Sequence, residues 1–183
     1  MRRLVAWNLM TLDGQFEGKT PWNLDFHETV WGDELHEFSL KQGKEIGTVL
    51  FGRRTYEGMA SYWSTATGEI ADMMNTIEKA VATRTLDEAT WNNTRLLKGD
   101  AVEAVRALKA EDGKDIFVFG SAELLDSLLK AGLVDEYRIC LAPVVLGGGN
   151  PLFKPQEKEL RMRLESVRQL KTGGVVLTYA VGG

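Results

Sequence analysis

The chain has 183 residues, 44% hydrophobic and 26% charged, the balance of an ordinary soluble globular protein that reads as a single domain over 1–183. Its formal net charge of −4 argues against broad binding to nucleic acid or an anionic membrane surface, since both need a basic face. The lone cysteine, Cys140, excludes an intrachain disulfide and a thiolate metal cluster.

From the start, Met1-Arg2-Arg3 before Leu4-Val5-Ala6-Trp7 faintly mimics a secretory signal. The apolar stretch is broken at Asn8 and closed by Asp13, with no small-residue cleavage site, and nothing approaches the roughly 20 apolar residues of a membrane span. The expected location is the cytoplasm. Residues 3–10 read as a first strand and Thr11-Leu12-Asp13-Gly14 as a turn. Gln15 to Trp31 has little period, contains Pro21 and reads as a loop, long enough to be a lid or binding loop. Asp33 to Lys44 is expected to be helical, with Leu35 and Phe38 inward.

Val49-Leu50-Phe51 is a buried strand, and Thr55-Tyr56-Glu57 opens a helix that runs to about Trp63. A looser stretch leads to a strand at Ala80-Val81-Ala82, then a short one at Arg95-Leu96-Leu97. Asp100 and Glu103 resemble a capping box for a helix that ends at Gly113. Ile116–Phe119 forms a strand and Ser121 reads as the N-cap of a helix with the stripe Leu124, Leu125, Leu128 and Leu129. Cys140 lies in the alternating strand Tyr137–Ala142 and reads as an inert thiol. A glycine-rich loop covers Leu146–Pro151. Arg163–Leu170 and Val175–Val181 flank a hairpin turn. Alternating strands and helices argue for a three-layer α/β/α fold with a mainly parallel central sheet, closed by a C-terminal antiparallel hairpin.

Three strand-to-helix junctions carry the chemistry: Gly52-Arg53-Arg54-Thr55, Thr83-Arg84-Thr85 and Gly120-Ser121-Ala122-Glu123. In a parallel sheet all three fall on the carboxyl edge, where open α/β folds bind ligands. Arginines and helix N-termini both favour phosphate oxygens, so the edge reads as a site for a phosphorylated nucleotide. Other chemistries fail on spacing. Gly147-Gly148-Gly149 lacks the last glycine of a dinucleotide fingerprint, and no phosphate loop ending in Gly-Lys-Ser/Thr is present. His27-Glu28-Thr29-Val30-Trp31 has Trp31 where a second zinc ligand belongs, so no metal is expected. Two histidines and no G-x-S-x-G leave a Ser-His-Asp hydrolase without support.

Read in order, Thr-Leu-Asp-Gly (11–14), Phe-Gly-Arg-Arg-Thr-Tyr-Glu (51–57), Val-Phe-Gly-Ser-Ala-Glu-Leu (118–124), Ala-Gly-Leu-Val-Asp-Glu-Tyr (131–137) and Pro-Val-Val-Leu-Gly-Gly-Gly-Asn-Pro-Leu-Phe (143–153) resemble one family across nearly the whole chain. It is the dihydrofolate-reductase-like family that includes the reductase domain of bifunctional riboflavin-biosynthesis deaminase-reductases. The resemblance implies an NADPH-dependent oxidoreductase that reduces a C=N or C=O bond of a small pterin-like or ribosylaminopyrimidine-like substrate, and a homodimer. It places cofactor phosphates at Gly52, Arg53, Arg54 and Thr55, the adenosine 2′-phosphate at Thr83 and Arg84, and the pyrophosphate at Gly120, Ser121, Ala122, Glu123 and Leu124. Leu9–Gly14 and the following loop would border the nicotinamide. Pro21-Trp22-Asn23-Leu24 resembles the segment before the substrate-binding carboxylate of true dihydrofolate reductases. Here Asp25, Glu28, Asp33 and Glu34 all follow, with Asp33 and Asp25 taken as catalytic candidates. Two alternatives stand beside this reading: a non-catalytic NADP(H)-binding protein, and a true dihydrofolate reductase.

Overall fold

Strands that are apolar on both faces need a layer on each side, and the chain supplies two. The computed structural model describes residues 1–182. In chain order come strand β1 (Leu4–Thr11), the short strand β2 (Gln15–Glu17), a 3-10 turn (Asp25–Thr29), helix α1 (Asp33–Gly43) and strand β3 (Ile46–Gly52). Helices α2 (Arg53–Trp63) and α3 (Glu69–Thr76), strands β4 (Glu78–Thr83) and β5 (Thr94–Lys98) and helix α4 (Ala101–Ala110) follow. The remainder holds β6 (Asp115–Phe119), α5 (Ala122–Lys130), β7 (Glu136–Ala142), the two-residue β8 (Asn150–Pro151), β9 (Met162–Gln169) and β10 (Val175–Val181).

One eight-stranded sheet runs β5-β4-β3-β6-β1-β7-β10-β9. Strands β5 to β7 in that order are parallel, and β10 is antiparallel to both β7 and β9. Val5 and Trp7 of β1 join a core with Phe26, Leu35 and Tyr56 beneath the 3-10 turn, α1 and α2. Leu4 and Ala6, alternating with them, join a second core with Val105, Leu108, Leu125 and Leu128 of α4 and α5. Two-sided burial explains why Leu4–Trp7 reads as a continuous apolar run. The three-layer α/β/α architecture with its closing hairpin is as expected from the sequence.

The strand order fixes where a ligand can bind. From β3 the chain passes through α2 to β4 on one side; from β6 it passes through α5 to β7 on the other. Crossovers of one hand leaving in opposite directions put α2 and α5 on opposite faces, and the two separate cores show that they do. The crevice between the carboxyl ends of adjacent β3 and β6 is thus a topological switch point.

Six local expectations need correction. The Thr83-Arg84-Thr85 junction does not enter a helix: β4 runs through an irregular stretch to β5. Helix α4 stops at Ala110, short of Gly113. Gln15 to Trp31 is not all loop: β2 pairs with β8, a contact with residues far along the chain that a three-residue strand cannot announce by alternation. The stretch before Ala80 holds α3, whose N-cap is Gly68 at φ 105 with no side-chain cap, so no start signal marks it. Helix α2 begins at Arg53, two residues before Thr55. Ser121 stands at the N-cap of α5, but in the left-handed region and without a capping bond. Asp100 does cap α4, accepting the Glu103 N–H at 3.0 Å, and Gly132 ends the segment after α5 at φ 67.

Candidate functional site

The β3–α2 and β6–α5 junctions are tied to each other rather than capped separately. The Gly52 N–H donates to Ser121 Oγ at 3.0 Å, and the Ser121 N–H donates to Thr55 Oγ1 at 3.2 Å. Ser121 holds φ 56, a conformation that costs a non-glycine residue about 1–2 kcal/mol and that these two bonds sustain. Gly120, at φ 59, brings its Cα so close that an added Cβ would lie 3.0 Å from Thr55 Cγ2. Neither helix has a side-chain cap, so both present first-turn N–H groups where the chain crosses the crevice.

The third junction joins through arginine. Arg53 Nη1 donates to Thr85 Oγ1 at 2.6 Å, and its Nε pairs with Glu57 at 2.8 Å. Thr83 Oγ1 accepts the N–H groups of Thr85 and Leu86 at 3.2 and 2.9 Å, folding the β4 end into a tight turn. Arg84 is exposed on that turn with no ion-pair partner among the described residues. Helix α2 carries Arg53 and Arg54 and no acid in its first turn, the arrangement that the helix dipole disfavours unless an anion is at hand. The structure thus brings together all three expected phosphate junctions.

Two loops cover the edge. Asp13 accepts the Thr11 hydroxyl at 2.6 Å and the N–H groups of Leu146 and Gly147 at 3.2 and 2.9 Å. These donors, the Thr11 hydroxyl first, hold its carboxyl below the ordinary range, so Asp13 clasps the glycine-rich loop to the end of β1. Gly149 packs on the lid: an added Cβ would meet the Glu17 carbonyl at 2.5 Å. Trp22, at φ 64, lays its indole on α2 so that a Cβ at Gly58 would stand 1.9 Å from it.

Glu17, a residue that sequence reasoning passed over, is the hub of this cover. It is only 8% exposed and accepts the Trp22 N–H at 2.8 Å, the Asn150 amide at 3.3 Å and Arg54 at 3.4 Å. No motif marks it, because two of its partners, Arg54 and Asn150, come from distant parts of the chain. The catalytic candidates lie elsewhere: Asp25 begins the 3-10 turn and Asp33 begins α1, both exposed. His27 packs its ring edge-on to Phe26 at 4.7 Å, and burial pulls it down to about 4. Burial also pushes the Cys140 thiol up to about 12, consistent with an inert strand residue. Among the described residues no cluster of His, Cys, Asp and Glu could hold a metal, and no helix is long and apolar enough to cross a membrane.

The RibD C-terminal domain model matches residues 2–176. The chain belongs to that family. YyaP, an uncharacterised protein of Bacillus subtilis (strain 168), is 30% identical over 100% of this chain and 96% of its own. A solved protein of Shewanella sp. PV-4 has the same fold, with a TM-score of 0.80 at 21% identity over 99% of both chains. A Thermotoga maritima diaminohydroxyphosphoribosylaminopyrimidine deaminase/5-amino-6-(5-phosphoribosylamino)uracil reductase superposes with a TM-score of 0.67 at 12% identity. That match covers 99% of this chain and 57% of the Thermotoga one.

Proposed function

We propose that the chain is a cytoplasmic, homodimeric NADPH-dependent reductase that transfers hydride to a C=N or C=O bond of a small pterin-like or ribosylaminopyrimidine-like substrate. Membership in the RibD C-terminal family points to a reductase acting on a pyrimidine-like compound. The observation that carries the cofactor reading is the switch-point crevice, where Gly52, Gly120 and the paired hydroxyls of Thr55 and Ser121 join two uncapped helix starts beside Arg53 and Arg54. A diphosphate fits that arrangement, because the side chains that bridge the junctions, Thr55 and Ser121, are small and Gly120 brings none.

In this reading Gly52, Arg53, Arg54 and Thr55 hold phosphate oxygens, and Thr83 and Arg84 face the 2′-phosphate. The residues Gly120, Ser121, Ala122, Glu123 and Leu124 approach the diphosphate. NADPH held there would supply the hydride. The protein orients the nicotinamide along Leu9–Gly14, keeps water out with the 15–31 lid, and delivers one proton to the reduced nitrogen or oxygen. Asp25 and Asp33 are the proposed proton sources, and each single amide variant should lower kcat with an established substrate. Retained turnover in both would remove them. Their exposure favours one second reading, a dinucleotide-binding protein without turnover.

Thermal unfolding with NADPH, and separately NADH, tests the cofactor. At 100 times its dissociation constant a ligand stabilises by about 2.7 kcal/mol, which for this size raises Tm by roughly 5–10 °C. A rise with NADPH and little with NADH is expected. No rise with either would leave the three junctions as structural caps and sink the proposal.

A further inference from the structure

Arg54 stands at the cofactor junction, yet its guanidinium is held from the other side of the crevice. One nitrogen, Nη2, meets Glu17 Oε1 at 3.4 Å, while 62% of the side chain is exposed. A guanidinium carries five N–H donors in a rigid fork, so a contact at one corner restricts where the others point. Glu17 is itself fixed. Its other oxygen accepts the Trp22 backbone N–H at 2.8 Å, and Oε1 also accepts the Asn150 amide at 3.3 Å. Asn150 is oriented in turn by Lys154, whose ammonium donates to Asn150 Oδ1 at 2.7 Å. The carboxylate therefore rides on the lid and the β2–β8 flap, not on α2.

We infer that Glu17 is a positioning residue that aims Arg54 at the phosphates of the dinucleotide, so that lid closure and alignment of the phosphate-binding arginine are one event. The inference rests on the cofactor reading above. When Glu17 is in place, Trp22 is pinned over Gly58 and one corner of the Arg54 fork is occupied. The remaining N–H groups are left to the ligand. When the lid lifts, Glu17 leaves with β2 and Arg54 loses its orientation. Left-handed Trp22 adds a bias: its conformation is strained for a non-glycine residue and persists because Glu17 accepts its N–H and α2 accepts its ring.

The direction of one substitution separates this role from a mere nearby charge. Replacing Glu17 by Gln removes a negative charge beside an anion site, so simple electrostatics makes NADPH bind more tightly. Loss of positioning makes it bind more weakly. We expect Glu17→Gln to raise the NADPH Kd about tenfold, the scale of one charge-assisted hydrogen bond. Arg54→Lys, which keeps the charge and loses the fork, should do the same. The double variant Glu17→Gln/Arg54→Lys should bind no worse than either single one, because both remove the same alignment. Amide exchange over residues 18–24 should quicken in Arg54→Lys, although Arg54 lies in a different element.

The measurements are calorimetric Kd values for NADPH and exchange on the folded full chain, with inorganic pyrophosphate as a second probe of the same junction. Wild-type protein that binds neither would overturn the cofactor reading, and the inference with it. Wild-type binding with tighter or unchanged binding in Glu17→Gln would overturn the inference alone, as would additive losses in the double variant. Should Glu17→Gln not fold, Arg54→Lys decides: wild-type affinity and unchanged lid exchange would overturn it.

Discussion

At the scale of single residues, the crevice is built from groups whose polar needs are met across it. Ser121 has surrendered its expected capping bond and instead accepts the N–H of Gly52. Ser121→Ala should therefore leave that buried-edge donor without its partner and lower stability by about 1–2 kcal/mol, read as a shifted urea midpoint at constant m. Gly120 is constrained twice, by its positive φ and by Thr55. Gly120→Ala should cost about 1–2 kcal/mol from the backbone alone and weaken NADPH binding by spreading the junctions. Arg84 differs in kind, being exposed and engaged with nothing described. Arg84→Ala should leave Tm unchanged and raise the NADPH Kd about 10–100-fold, the worth of a lost charge-assisted bond to phosphate. The NADH Kd should barely move. Equal losses for both cofactors would remove Arg84 from the 2′-phosphate.

At the scale of elements, glycine in mid-helix usually lowers stability, and Ala in its place gains about 1 kcal/mol. Gly58 in α2 should break that rule. Its Cβ would overlap the indole of Trp22, so Gly58→Ala gains in the helix and loses the docked lid. Little net change in Tm is expected, together with faster amide exchange over 18–24 and a higher KM. Helix α3 is secured at its other end by Lys79 of β4. That fully buried ammonium donates to the Met74 and Asn75 carbonyls, each at 3.1 Å, and lies 4.5 Å over the Trp91 ring. These contacts favour the charge, yet burial still pulls Lys79 from its ordinary 10.5 to about 8. Between those values the folded chain binds fewer protons than the unfolded one, so stability should rise as pH climbs from about 8 toward 10.5. Lys79→Met should flatten that rise in urea titrations, while taking this donor from the Met74 carbonyl; the Asn75 carbonyl keeps the Asn92 amide at 2.9 Å.

At the scale of the whole molecule, the sheet ends on one side in β9, which exposes Leu164 and Val167 at 49% and 57%. Edge strands invite pairing even where charges such as Arg163, Glu165 and Arg168 share them with exposed apolar side chains, and the proposed homodimer would cover Leu164 and Val167. Val167→Lys should then shift the mass measured by light scattering from dimer to monomer. A wild-type monomer would remove the dimer from the reading.

Much of this was legible in the sequence because the signals are local. Short apolar runs followed by periodic ones determined an α/β fold, and Asp100 with Glu103, Gly132 and the leucine stripe of α5 marked their elements by backbone chemistry that neighbours alone satisfy. Arg53, Arg54, Arg84 and Gly120 could be placed on one edge because parallel strands all end there, although the β4 end leads to β5 and not to the expected helix. What tertiary structure decided is whatever depends on partners distant along the chain. Strands β2 and β8 exist only because they pair with each other. Glu17 has no meaning until Trp22, Arg54 and Asn150 converge on it, and Ser121 changes from cap to cross-link only when β3 and β6 lie side by side. A sequence records residue types along a line, whereas a hydrogen bond is a distance in space, and folding alone turns one into the other.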